Sequence, residues 1–320
     1  MIFSKQVVKT IIGLFIGIAL ISHIVYVIAS NNTLTSISFG QFIAKYNADL
    51  YIVIILLFLS TSLEIIKWKF VIDTQHIISW KQSAKSVMLG QAASFITPNR
   101  IGDYPARILS LTKKLSYGSI SLSIMSASAQ TLAVIICSEL ALWVLYYNHI
   151  DVIFKILLQI NSIILVVLSF LYFKIEWFSI RFSKIKVLRK IRRYINVMHA
   201  IPIKLYISTI VLSILKCLTY SFQLFLLLRS AMVYNNLVQL YMMCIVYFWG
   251  MTIIPSIAYA ELGIRNKWGL FLFSFMALES WKIVIAITGL WLINIVIPAF
   301  MGTLLFLLNK PNRKIYASSN

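Results

Sequence analysis

Ser94-Phe95-Ile96-Thr97-Pro98-Asn99-Arg100-Ile101-Gly102-Asp103-Tyr104-Pro105-Ala106-Arg107 decides how the rest of the chain is read. Two prolines, a glycine, two arginines and an aspartate interrupt hydrophobic surroundings there. A second stretch, Ile254-Pro255-Ser256-Ile257-Ala258-Tyr259-Ala260-Glu261-Leu262-Gly263-Ile264-Arg265, repeats the recipe. Each has a proline, a glycine beside or near a carboxylate, and an arginine roughly ten residues after the proline. Proline removes a backbone donor and breaks a helix, whereas glycine allows a turn or a close approach. At membrane depth such breaks are tolerated only where protein or a wet cavity covers the freed backbone. Pro98, Gly102, Pro105, Pro255 and Gly263 are therefore read as hairpin breakers, and the two stretches as the functional centre.

The surroundings are lipid-like. The chain is 60% hydrophobic and only 12% charged, with a mean hydropathy of +0.89, against about 45–50% apolar residues in soluble domains. A span takes about 20 apolar residues, so 320 residues hold roughly six to eight spans and no sizeable soluble catalytic domain. The net charge of +20, from 29 bases and nine acids, fits loops facing anionic headgroups on the cytoplasmic side. Nucleic acid is not an expected partner. Cys137, Cys217 and Cys244 lie inside apolar runs with neither metal nor disulfide spacing, and read as packing.

Lys5 and Lys9 precede an apolar run from Thr10 to about Ala29. It is longer than the apolar core of a signal peptide, about 7–15 residues, and reads as an uncleaved first span with its N-terminus inside. Further spans are expected at Leu50 to about Phe70, Gly118–Tyr147, Val152–Phe173, Leu205–Leu228 and Ile283–Leu308. Glu64 and Lys67 share a helix face near the end of the second span and read as a snorkelling pair at the inner interface. Asp73–Lys85 is amphipathic, with Trp80, Lys81 and Lys85 as interfacial anchors. Residues 174–204 carry nine bases against Glu176 and form the expected cytoplasmic loop; Lys310, Arg313 and Lys314 keep the C-terminus inside. This gives a single all-α integral membrane domain, residues 1–320, in a bacterial inner (plasma) membrane.

Between the second and third spans, the segment Ser86–Thr97 is too short to cross, and a second short helix runs from Tyr104 to about Leu111. That pair reads as a re-entrant hairpin entered from the cytoplasm. Leu237–Ile254 and Trp268–Leu278 form its counterpart, entered from outside, although two ordinary spans remain open for residues 237–279. The expected architecture is a polytopic bundle of about six full spans plus two broken re-entrant hairpins in an inverted repeat, with units of about 50–147 and 205–308. Inverted repeats with interrupted helices point to a transport site near the bilayer midplane.

Intramembrane charges are functional candidates by default. Asp103 with Arg100 or Arg107, and Glu261 with Arg265, form candidate pairs, leaving surplus guanidinium for a phosphate, which arginine binds bidentately. The competing reading is that these pairs only lock the hairpins. Glu139 and Lys216, in separate spans, form a further candidate pair. There is no Gly-rich phosphate loop, metal-ligand cluster or nucleophile motif, and His23, His76, His149 and His199 are scattered. No catalytic residue, metal or cofactor is expected, and the chain does not read as an enzyme.

At Pro98-Asn99-Arg100-Ile101-Gly102-Asp103 with Arg107, and at Pro255 through Glu261-Leu262-Gly263-Ile264-Arg265, the chain resembles the lysylphosphatidylglycerol synthase transmembrane region, a flippase-like membrane family. The resemblance implies movement of lipid between leaflets. Family members resembling the bifunctional synthase carry a cytoplasmic aminoacyl-transferase domain after this module; here the sequence ends at Asn320, so lysine transfer is not expected. Tyr104-Pro105 departs from the family pattern, in which an acidic residue often precedes the arginine region. The leading expectation is a flippase for an anionic or modified phospholipid or lipid-linked glycan. The alternative is a non-catalytic scaffold for a separately encoded glycosyl- or aminoacyl-transferase.

Overall fold

The computed structural model describes residues 39–97, 100–112, 117–148, 151–181, 201–229, 236–254, 260–276 and 278–308. The expected first span, Pro98, Pro255, most of the basic loop and Lys310, Arg313 and Lys314 lie outside the described residues. All described elements are helical: α1 Phe39–Ile72, α2 Trp80–Ile96, α3 Asp103–Thr112, α4 Tyr117–Tyr147, α5 Val152–Arg181, α6 Ile203–Arg229, α7 Leu237–Ile253, α8 Glu261–Ser274, α9 Ser280–Trp291 and α10 Ile297–Leu308. A π-helical turn, Leu292–Val296, joins the last two.

Among the described residues, five stretches are long and apolar enough to cross a bilayer: Ala48–Ile72, Gly118–Tyr147, Val152–Lys174, Ile203–Arg229 and Ser280–Leu308. They coincide with the second to sixth spans expected from the sequence. Their outward faces are apolar, with Phe58, Leu140, Ile163, Val166 and Phe300 all exposed. Glu64, Lys67, Arg107, Asn161 and Gln223 are buried instead. Apolar outside and polar inside is the distribution that a hydrocarbon solvent imposes. At the start of the last span, outside the bilayer-crossing stretch, Glu279 accepts from Lys282 Nζ and Trp281 Nε1, each at 2.6 Å. The Lys282 hydrogen bond holds its carboxyl below the ordinary range.

Two helix pairs repeat. Both α2 and α7 have 17 residues, and a side chain caps each start: Ser79 accepts from the Gln82 backbone N–H, and Asn236 from that of Gln239. Each is followed by a short helix whose first turn carries an acid, Asp103 in α3 and Glu261 in α8. Four residues on, Arg107 and Arg265 pair with those acids at 2.6 and 2.7 Å. The expected amphipathic segment Asp73–Lys85 divides differently, because the Ser79–Gln82 capping box starts α2 at Trp80 and the helix then runs unbroken to Ile96. Pro105 does not break a helix. It sits in the first turn of α3, where its missing N–H would have had no intrahelical partner. Gly263 is likewise inside α8, which starts at Glu261 rather than at Trp268.

α1 and α6 pack along much of their length in antiparallel fashion. Asp49 meets Arg229 at 2.6 Å, Gln223 donates to the Val53 carbonyl at 2.9 Å, Glu64 meets Lys216 at 2.6 Å, and Lys67 donates to Ser213 at 3.4 Å. Each broken pair leans on the other half: α2 packs against α10, and α7 against α4. The α2–α10 approach is close at Gly302, where an added Cβ would run into the backbone carbonyl of Met88. Gly302→Leu is therefore expected to destabilise the protein by about 1–3 kcal/mol, read as a lower thermal midpoint in detergent. An unchanged midpoint would contradict the close packing of these helices.

Candidate functional site

Glu64, in the last third of the long helix α1, is the hub of the buried charge. Its Oε1 accepts from Arg107 Nη1 at 2.6 Å; its Oε2 accepts from Lys216 Nζ at 2.6 Å and lies 3.1 Å from Lys67 Nζ. The Glu64 and Lys67 side chains are only 3% and 2% exposed. They are not the snorkelling interfacial pair expected from spacing, because α6 and α3 bring further cations to Glu64 from outside its own helix. Lys67 also donates to Gln130 Oε1 at 3.2 Å.

Arg107 is fully engaged. Its Nε and Nη2 donate to the two oxygens of Asp103 at 2.6 Å each, and its guanidinium lies 5.5 and 5.1 Å from the Trp68 and Tyr104 ring centres. α2 makes room for this pair at Gly90, where a Cβ would strike the Asp103 and Arg107 side chains. Arg107 and Asp103 thus lock α3 to α1 and α2. They do not border the cavity described next.

The second charged group joins the two halves. Arg100, in the turn before α3, donates through Nη2 to Glu261 Oε1 at 2.9 Å. Arg265 donates to the same oxygen through Nε and Nη2, at 3.0 and 2.7 Å. Arg100 therefore reaches across to the other broken pair, not back to Asp103. It does so from a left-handed backbone, φ 57°, a conformation that costs about 1–3 kcal/mol in a non-glycine residue. Gly102 closes the same turn, its N–H bonded to the Thr97 hydroxyl at 2.9 Å.

Between these groups lies a cavity of about 600 Å³. Arg100, Arg265, Lys216 and Glu261 border it, together with Gln130, Tyr104, Tyr220, Tyr247, Trp291 and Asn294. Each charged group carries one surplus positive charge: Lys67, Arg107 and Lys216 against Glu64 and Asp103, and Arg100 and Arg265 against Glu261. In low dielectric that excess favours an anion. A guanidinium fork pairs bidentately with a phosphate as it does with a carboxylate.

Glu139 and Lys216 do not pair. Glu139 accepts from Asn161 and Ser162 of α5, at 2.7 and 2.6 Å, while Lys216 is drawn to Glu64. Cys137, Cys217 and Cys244 are buried free thiols, in keeping with a packing role. Sequence reasoning missed Tyr220, Tyr247, Trp291 and Asn294 as cavity residues. The one signal for Asn294 was an amide in an otherwise apolar last span. No family model, curated protein or solved structure matches the chain.

Proposed function

We propose that the protein is a lipid transporter that moves an anionic phospholipid or lipid-linked glycan between leaflets of a bacterial inner membrane, as the resemblance to the flippase-like family implies. The observation that carries this reading is the cavity bordered by Arg100, Arg265 and Lys216, with surplus positive charge on both sides. A charge excess among apolar helices has little structural use, since each unpaired buried cation costs stability. It does offer an anionic headgroup a binding place out of water.

On this reading α2–α3 and α7–α8 are re-entrant hairpins of two inverted units. A helix of 17 residues rises about 1.5 Å per residue and falls short of a hydrocarbon core about 30 Å thick. The antiparallel course of the corresponding helices α1 and α6 supports the inversion, as does the reciprocal packing of each hairpin on the opposite half. Arg100 and Glu261 then join the hairpin tips near the midplane, where interrupted-helix transporters hold their cargo.

The test is leaflet exchange in proteoliposomes, using headgroup-labelled anionic and zwitterionic lipids. Faster exchange of the anionic lipid than in protein-free vesicles is the expected result. Exchange no faster than background for any lipid, including a lipid-linked glycan, would overturn transport and leave the scaffold for a separate transferase as the better account.

A further inference from the structure

The two charged groups are built differently but turn the same sign toward the cavity. Around Glu64, the Lys67 and Arg107 side chains are 2% exposed, whereas Lys216, which borders the cavity, is 15% exposed. Around Glu261, Arg100 is 40% exposed and the carboxylate 12%. In each group the acid is the more enclosed partner and a cation faces the ligand space. Across both groups five cations meet three acids, Glu64, Asp103 and Glu261, which leaves two surplus positive charges. Residues 255–259, which follow the cavity residue Ile254 in sequence, contain no acid that could reduce the surplus.

Building on the transporter reading, we infer that the cavity's ligand is a lipid with a doubly charged phosphate headgroup, a terminal phosphate monoester or a pyrophosphate, rather than a phosphodiester. Two negative charges neutralise the surplus. A phosphodiester brings one and leaves a cation uncompensated in a low-dielectric site, where that is costly. The oxygen count agrees with the charge count. Three separate cations border the cavity, Arg100, Arg265 and Lys216. A terminal phosphate offers three acceptor oxygens and a charge of about −1.5 to −2 near pH 7, a pyrophosphate offers more, and a phosphodiester has only two non-bridging oxygens. Glu261 need not leave for the ligand to enter. Arg100 meets it through one nitrogen, Nη2, and a guanidinium carries five donors, so it can hold the carboxylate and a phosphate oxygen together. The volume of about 600 Å³ lies in the usual range of about 300–1,000 Å³ for a small-molecule site and leaves room for the group that carries the phosphate. Zwitterionic and aminoacylated headgroups are disfavoured, because their ammonium groups add to the surplus.

The experiment is calorimetric titration of the detergent-purified protein at about pH 7.5, well above the second pKa of about 6 of a phosphate monoester. The matched ligands are short-chain phosphatidic acid and phosphatidylmethanol, which differ only by a methyl cap on the phosphate. Farnesyl pyrophosphate supplies the other doubly charged form, and glycerol 1-phosphate a water-soluble source of the same chemistry. Phosphatidic acid is expected to bind about tenfold more tightly than phosphatidylmethanol, through one more charge-assisted contact. Lys216→Gln and Arg100→Gln each remove one surplus charge and are each expected to abolish that preference. Both are chosen to fold, since Glu64 keeps Lys67 and Arg107 in the first and Glu261 keeps Arg265 in the second; each serves as the check if the other does not. Equal affinity for the matched pair, tighter binding of phosphatidylmethanol, or a preference that survives both substitutions overturns the inference while leaving an anionic-lipid site standing. Binding of none of the three lipids overturns the transporter reading itself. Glycerol 1-phosphate binding in that case keeps the doubly charged phosphate and assigns it to a soluble source; no binding of it overturns both.

Discussion

Replacing Glu64 with glutamine is expected to cost about 3–5 kcal/mol of stability, measured as a lowered thermal midpoint of the purified protein in detergent. Glutamine keeps the shape and one carbonyl acceptor, so the change isolates the charge. Lys67, Arg107 and Lys216 would lose their shared counter-charge at a side chain only 3% exposed. Removing one partner of a buried network is costly because the remaining charges stay desolvated. Glu279→Gln is the control. Its side chain is 53% exposed, so its pairs are screened by solvent and the change stays within about 0.5 kcal/mol. Equal midpoints for Glu64→Gln and wild type would show that the three cations do not depend on Glu64.

Arg265→Gln is expected to slow exchange of an anionic lipid by about ten- to hundredfold while the protein stays folded. The magnitude follows from losing a charge-assisted hydrogen bond worth about 1.5–3 kcal/mol, at about tenfold per 1.4 kcal/mol. Folding is protected because Arg100 still neutralises Glu261 after the change. The cavity loses one of three bordering cations. Arg265→Lys, which keeps the charge but not the planar fork, is expected to fall between the two. Proteoliposome exchange with matched protein amounts makes the comparison. A wild-type rate in Arg265→Gln would remove this arginine from the transport path.

The local pattern was the legible part. Apolar length placed five spans, and Pro, Gly and acid–arginine spacing marked both broken pairs, because those signals act over one or two helical turns. The short helix expected from Tyr104 to about Leu111 differs from α3 by a single residue at each end. Partner choice between distant helices was not legible. Lys216 meets Glu64 across 152 residues, and Arg100 meets Glu261 across 161. Spacing along one helix ranks only near neighbours, so Glu64 was assigned to Lys67 alone and Lys216 to Glu139. Pro105 was misjudged for a related reason: a proline's effect depends on where the helix starts, and the first turn accepts it.

The reciprocal seating of the broken pairs bears on ancestry. α2 rests on α10 and α7 on α4, while α1 and α6 seal the seam between them. Each half lends a long helix to the other's broken pair, besides packing on its own. Under the proposed inverted-repeat reading, a forerunner encoding one such unit would gain this part of its packing by meeting a second copy of itself, inserted the opposite way up, the same surface serving both partners. Fusion of the two copies would then fix one to one stoichiometry and allow the tips to diverge. The present difference between them, Asp103 locked with Arg107 but Glu261 shared between Arg100 and Arg265, is a sequence asymmetry that two identical copies cannot have.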